Sequence, residues 1–272
     1  MQTGFYSNTG GMVTQFNRLD VISNNLANLN TNGYKKDDVV IGDFMRLYQE
    51  KRDELPLENN TKEGSKFLNR SIVRVPHVVE EYTINDIGAF AKTDNPLDVA
   101  LSEPDTFIGV LTPSGIKYTR DGSFVINEDG NLATKDGFLV LPAGYTDGGD
   151  LINIPSDRST TITGNGEIFL IDQGNLTASE FANQIMIMRP ENIKEMKKEG
   201  NNTFGASTPM QEVSGMSLLK QGYIEKSNVN PVREMTALIE TSRLVGMYQK
   251  VMDSHMNDLN RDAIEKLANV KG

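Results

Sequence analysis

The sequence predicts an α+β fold: long helices at the N- and C-termini, discontinuous in the chain, that form one coiled-coil domain, with an all-β domain of hairpins between them. Three observations carry that prediction. Apolar and small residues recur with a seven-residue period at both ends, the mark of a helix face made to meet another helix. Residues 85–225 hold 16 of the 24 glycines and a succession of short β-prone runs. Charge is uneven: residues 1–36 carry three basic and one acidic side chain, and residues 231–272 carry six of each. Of the net −10, the ends therefore account for +2 and 0, leaving −12 on residues 37–230. Near-neutral ends and an acidic middle suit close packing of like copies through the ends with the middle in water.

The first helix is read from Phe5, Thr9, Met12, Phe16, Leu19, Ser23 and Leu26, in steps of 4, 3, 4, 3, 4, 3. Five asparagines then fall within residues 24–32. Asparagine is a poor helix former, so these amides need partners. Capping accounts for Asn30 to Gly33, with Gly33 as the left-handed residue that stops the helix. It accounts less well for Asn24, Asn25 and Asn28. Residues 44–80 are polar, with charged runs such as Glu50-Lys51-Arg52-Asp53-Glu54, and 37–84 is predicted to be an extended arm or linker. Strands are expected at Thr106–Leu111, Ser123–Asn127, Glu167–Ile171 and Gln184–Arg189. Turns are expected at Asp121-Gly122, Asp129-Gly130, Asp136-Gly137 and Asn165-Gly166, where glycine accepts positive φ.

Asn230-Pro231 makes a good N-cap and N1 pair for the second helix. From 231 to 269 that helix spans about 58 Å at ~1.5 Å per residue, long for the interior of one small domain. Its seam is Met235, Leu238, Ser242, Val245, Gln249, Met252, Met256, Leu259 and Ala263. Periodicity alone favours an antiparallel hairpin within one molecule, each seam filling the other. Against it stand apolar residues off the seams: Tyr6, Val13, Val21 and Ile22 on the first helix, and Ile239, Leu244, Met247, Tyr248 and Val251 on the second. A simple pair leaves these wet, whereas contact on several sides buries them at ~25 cal/mol per Å².

Composition narrows the chemistry. With 272 residues the chain can bury a core, and its acidic balance is unfit to hold a phosphate backbone, so nucleic acid is an unsuitable partner. No cysteine and two histidines, His77 and His255, leave no thiolate metal site, disulfide or cysteine nucleophile. No apolar run approaches the ~18 residues of a membrane span, and the first 20 residues have no basic leader with an apolar core, so no cleaved signal peptide is expected. Asp98, Asp121 and Glu128 are the candidate carboxylates for glycoside hydrolysis. Asp121, Asp129 and Asp136 each precede glycine, where turn formation is the commoner role. EF-hand spacing is absent, and neither histidine has a triad context. No catalytic residue, metal or cofactor is therefore assigned.

Four blocks, in order, carry a family resemblance: Ser23-Asn24-Asn25-Leu26-Ala27-Asn28 through Gly33-Tyr34-Lys35; Asn95-Pro96-Leu97-Asp98-Val99-Ala100-Leu101; Tyr118-Thr119-Arg120-Asp121-Gly122-Ser123-Phe124; and Gln221-Gly222-Tyr223-Ile224-Glu225-Lys226-Ser227-Asn228-Val229-Asn230 with Glu234-Met235-Thr236 and Ser242-Arg243. The chain resembles the flagellar axial proteins, the bacterial rod and hook subunits. The middle region is too short for a full hook subunit. The Asn95–Leu101 block and residues 243–253 look most like the proximal rod type, while the long arm is similar to the distal rod type.

The resemblance implies an inner coiled-coil domain lining a channel, made from the N-terminal helix (1–36) and the C-terminal helix (226–272). It further implies an arm at 37–84 and an outer β domain at 85–225. Partners would be further copies, other rod proteins and the flagellar type III export apparatus, in the periplasmic part of the basal body. The residues expected at subunit interfaces are Phe5, Met12, Phe16, Leu19, Asn24, Asn25, Leu26 and Asn28 at one end. At the other they are Ser227, Asn228, Met235, Leu238, Ser242, Arg243, Val245, Met252, Met256 and Leu259. Two other classes fit the pattern less closely: a secreted carbohydrate-binding or cleaving β module with coiled-coil ends, and a free coiled-coil adaptor.

Overall fold

A computed structural model describes residues 2–43, 76–146, 148–155, 157–172, 175–213 and 217–269. Most of the expected arm, 44–75, lies outside the described residues. The chain forms two compact units: Met1–Leu26, Asp37–Tyr82 and Pro231–Gly272 make the first, and Ala27–Lys36 with Thr83–Asn230 the second. Two expected boundaries change accordingly. Residues 27–36 and 226–230 group with the strands and not with the helices, and the arm's ends are strands, β1 (Lys36–Asp43) paired with β2 (Pro76–Ile84).

In the first unit, helix α1 runs Gln2–Ala27 and helix α2 Pro231–Asn269, the latter opening on the expected proline with Glu234 in its first turn, where an acid suits the helix dipole. The helices run antiparallel, since Asn8 Nδ2 donates to the Tyr248 carbonyl (3.0 Å) and Asn25 Nδ2 approaches Glu234 Oε2 (3.5 Å). Buried positions on α1 are Asn8, Gly11, Thr14, Gln15, Ile22 and Asn25, and all but Thr14 fall one residue before a predicted seam position. On α2 they are Glu234, Thr241 and Val245, with Leu238, Tyr248, Met252 and His255 half-buried, so only every second predicted position faces inward.

Close approach and backbone hydrogen bonding cause this offset. A Cβ on Gly11 would stand 2.7 Å from the Tyr248 ring, whose tip occupies the space left by the missing side chain. Asn25, 1% exposed, is satisfied by strand β1, donating to the Asp37 carbonyl (2.8 Å) and accepting from the Asp37 N–H (3.0 Å).

The second unit is antiparallel. Its main sheet has nine strands: β5 (Phe107–Thr112), β6 (Gly115–Thr119), β7 (Phe124–Ile126), β8 (Leu132–Thr134), β9 (Leu139–Val140), β13 (Ile187–Pro190), β14 (Met196–Lys198), β15 (Thr203–Ala206) and β16 (Met210–Glu212). The order is β14-β15-β6-β5-β9-β8-β7, with β13 joining β5 to β16. A three-stranded sheet holds β10 (Arg158–Ile162), β11 (Glu167–Asp172) and β12 (Asn175–Gln184). Two short pairs complete it: β4 (Val99–Leu101) with β17 (Leu219–Gln221), and β3 (Phe90–Lys92) with β18 (Tyr223–Glu225). Val99, Leu101, Ile108, Val110, Phe124, Ile168 and Ile187 share the core, and Phe107 meets Phe204 edge-on at 5.2 Å in a smaller cluster.

Three expected turns have the left-handed glycine: Gly130 between β7 and β8, Gly137 between β8 and β9, and Gly166 between β10 and β11. Gly122 does not. It is needed because a Cβ there would fall 1.9 Å from the Val99 carbonyl oxygen, in a bridge where Val99 N–H donates to Gly122 O (2.9 Å). The strand expected from Gln184 begins at Ile187, because Ile185 and Met186 donate instead to Gly166 O and Leu141 O. Among the described residues, no helix is long and apolar enough to cross a membrane.

Candidate assembly surface and buried charge junction

The expected interface residues divide. Asn25 and Val245 are buried, and Met12, Leu19, Leu26, Asn28, Ser227, Asn228, Leu238 and Met252 are half-buried. Asn24, Phe16, Met235, Ser242, Arg243 and Met256 are exposed; the side chains of Phe5 and Leu259 lie outside the described ones. Met252 meets α1, its sulfur accepting from Thr9 Oγ1 (3.6 Å). The apolar residues off the seams show the larger effect. Ile239 (53% exposed), Met247 (56%) and Val251 (45%) face solvent along α2, as does Val13 (50%) on α1. Among the described side chains, Ile22 is buried and Val21 and Tyr248 are half-buried.

Inside the β unit the sequence blocks converge on Glu225. Its Oε1 accepts from Lys35 Nζ (2.6 Å) and the Gly88 N–H (2.8 Å), and its Oε2 accepts from Arg120 Nε (3.0 Å) and Nη2 (2.8 Å). All three charged side chains are fully buried. Arg120 Nη1 also donates to the carbonyls of Glu103, Pro104 and Thr106, and Lys35 Nζ to that of Asp86 (2.7 Å). Burial, and then the Arg120 charge, lower the Lys35 pKa to about 8, with Glu225 opposing both. Gly33 donates its N–H to Glu225 O (2.8 Å) and has φ +67°. It does not cap α1, which ends at Ala27; its missing Cβ leaves room for the Arg120 backbone, 2.5 Å from where that atom would be.

Other motif residues are paired elsewhere in the same unit. Asn228 Nδ2 donates to Ile84 O (2.8 Å) while its Oδ1 accepts from Lys36 N–H (2.7 Å). Asn95 Nδ2 donates to Asp98 Oδ1 (3.0 Å), and Gln221 Nε2 to Pro96 O (2.7 Å). Asp121 accepts from the Ser123 hydroxyl (2.5 Å) and N–H (2.9 Å), and its pKa is raised by burial against the pull of those bonds. Glu128 is exposed. Asp98 and Asp121 thus have local structural partners. Sequence reasoning quoted Lys35, Arg120 and Glu225 without giving them a role. Local spacing held no signal for it, since the partners lie 105 and 190 residues apart.

Comparison with known proteins covers the same blocks. Residues 5–35 match the model of the flagella basal body rod protein family, 103–170 that of the flagellar hook protein FlgE/F/G D1 domain, and 220–263 that of the flagellar basal body rod FlgEFG protein C-terminal region. Similar curated proteins include the flagellar basal-body rod protein FlgG of Buchnera aphidicola subsp. Acyrthosiphon pisum, 32% identical over 87% of this chain and 89% of the relative. FlgF of Caulobacter vibrioides is 30% identical over 99% and 100%, and FlgG of Agrobacterium fabrum 33% over 89% and 91%. Each matched segment contributes one member of the junction: Lys35, Arg120 and Glu225.

Proposed function

The chain belongs to the flagellar basal-body rod protein family, a structural family and not one of enzymes, and on that premise we propose that it polymerises through its terminal helices into a hollow, torque-transmitting shaft. The observation that carries this reading is the set of exposed apolar residues spread round α2, including Met235, Ile239, Met247 and Met256, left over after α1 has taken its share. Neighbouring subunits covering these residues bury them on more than one side, stiffening the shaft, and repeated heterologous contacts set its handedness. In this reading the helices pair as a coiled coil and line the channel, the acidic β unit lies outermost, and the subunit reaches the periplasm through the flagellar type III export apparatus.

The absence of native cysteine permits a clean test. Single cysteines at 235, 239 and 247 should react freely with a maleimide in the dilute purified protein and be shielded from it within isolated basal bodies. Functional rods in which all three react as freely as in the purified protein refute the proposed surface.

The position assigned is the proximal rod. Its support is alignment with Caulobacter FlgF over 99% of this chain and 100% of the relative. Distal placement is the second reading, favoured by the 32–33% identity of the FlgG relatives. Imaging basal bodies from a strain lacking the protein separates them: a rod that stops at its base marks a proximal subunit, and one that stops late a distal subunit.

A further inference from the structure

The junction sets two buried cations against one carboxylate, and the cations are not equivalent. Arg120 is fixed entirely by residues of 83–230: Glu225 through Nε and Nη2, and three carbonyls through Nη1. Lys35 enters from the segment 27–36 that follows α1, which buries the Tyr34 ring and is otherwise held largely by polar contacts. Gly33 N–H donates to Glu225 O (2.8 Å), Asn202 Nδ2 to Asn32 O (2.6 Å), Asn32 Nδ2 to Ser123 Oγ (3.4 Å) and Lys36 N–H to Asn228 Oδ1 (2.7 Å). Lys198 donates to the Lys35 carbonyl and lies over the Tyr34 ring at 3.9 Å. Among the described residues, no side chain of 27–36 belongs to either apolar cluster of the β unit.

We propose that segment 27–36 is a reversible clasp, closing on an already folded β unit in a separate step, with Lys35 as its costly fastening and Arg120–Glu225 as part of the fold proper. The charged groups facing the Lys35 ammonium are Arg120, Glu225 and Asp86, and their balance with burial lowers its pKa to about 8. Holding a charged lysine there consumes much of what the clasp's hydrogen bonds provide. The clasp therefore closes with less stability than the sheets possess, and the stretch behind α1 opens without unfolding them, as a sub-global unit.

Native-state hydrogen exchange on the full chain at pH 7 tests this. The amides of Gly33 and Lys36 should exchange at least tenfold faster than the slowest amides of β5 and β6. Lys35→Met, which keeps length and removes charge, should slow Gly33 and Lys36 several-fold and leave β5 and β6 unchanged. A difference below tenfold in the wild-type chain makes the clasp one cooperative unit with the sheets and overturns the proposal. So does a Lys35→Met chain that exchanges as fast or faster at Gly33 and Lys36, or that fails to fold.

Discussion

Glu225→Gln is the most demanding perturbation of this molecule. The glutamine keeps shape and volume but removes the negative charge on which Lys35 Nζ (2.6 Å) and Arg120 Nη2 (2.8 Å) converge. It also replaces one acceptor oxygen with an NH₂ group. If that group faces Arg120, it opposes Nε and Nη2; if it faces Lys35, it opposes Nζ and the Gly88 N–H. Either orientation leaves donors against donors and two buried cations without a counter-charge. Breaking a buried pair from one side costs about 3–5 kcal/mol, which lowers the melting temperature of a unit this size by roughly 10 °C. Lys35→Met is the informative contrast. It leaves a one-to-one Arg120–Glu225 pair, so its cost should be below about 1 kcal/mol, or negative. Thermal and urea unfolding followed by circular dichroism measure both. A Glu225→Gln loss under 1 kcal/mol, or a Lys35→Met loss of equal size, refutes the two-cations-to-one-carboxylate reasoning.

Four further outcomes are expected. Because the folded chain holds Lys35 at about 8 against an ordinary 10.5, unfolding takes up a proton between those values; the burial penalty is full below pH 8 and relieved as pH rises. At ~1.4 kcal/mol per tenfold, wild type should gain on Lys35→Met by up to about 3 kcal/mol between pH 7 and 10.5, and parallel pH profiles exclude this. Gly122→Ala, whose Cβ would meet the Val99 carbonyl oxygen at 1.9 Å, should cost more in urea titration than Gly137→Ala. The latter has open space and only the ~1–2 kcal/mol of a left-handed alanine. Asn25→Ala removes two hydrogen bonds to the Asp37 backbone at a buried position and should cost about 1–3 kcal/mol, seen as faster proteolysis near α1. Ile239→Ser and Met247→Ser on the exposed face should change monomer stability by no more than about 0.5 kcal/mol while reducing incorporation into rods; normal incorporation contradicts the proposed surface.

What was legible in the sequence follows the range of each interaction. Helix α2 opened at Pro231 because its start signal is written in adjacent residues. The glycines of β7–β8, β8–β9 and β10–β11 were legible for the same reason. The inward stripe of α1 was missed by one residue, since a hydrophobic count takes Met12 and Phe16 and passes over Gly11 and Asn8. Those two face the partner because one removes bulk beneath Tyr248 and the other bonds its carbonyl. Gly33 and Gly122 had the right residue for the wrong reason. In both, the decisive neighbour is a backbone some 90 or 20 residues away in sequence, which no local rule sees.

That distinction explains why the recognisable motifs and the assembly surface fall in different places. A buried junction tolerates few chemistries: Glu225 must receive four donors, Gly33 must admit the Arg120 backbone, and Asn228 must bridge Lys36 to Ile84. Such demands fix residue identity and leave a spelled-out signature. The proposed surface on α2 would demand only apolar side chains of suitable size, and Met235, Ile239, Met247 and Met256 meet that demand without any one being dictated. Motif residues therefore mark how the subunit is held together, and the chemically plain helix face is the one proposed to meet its neighbours. Substitutions in the two places should separate cleanly, folding being lost at Glu225 and assembly at Met247.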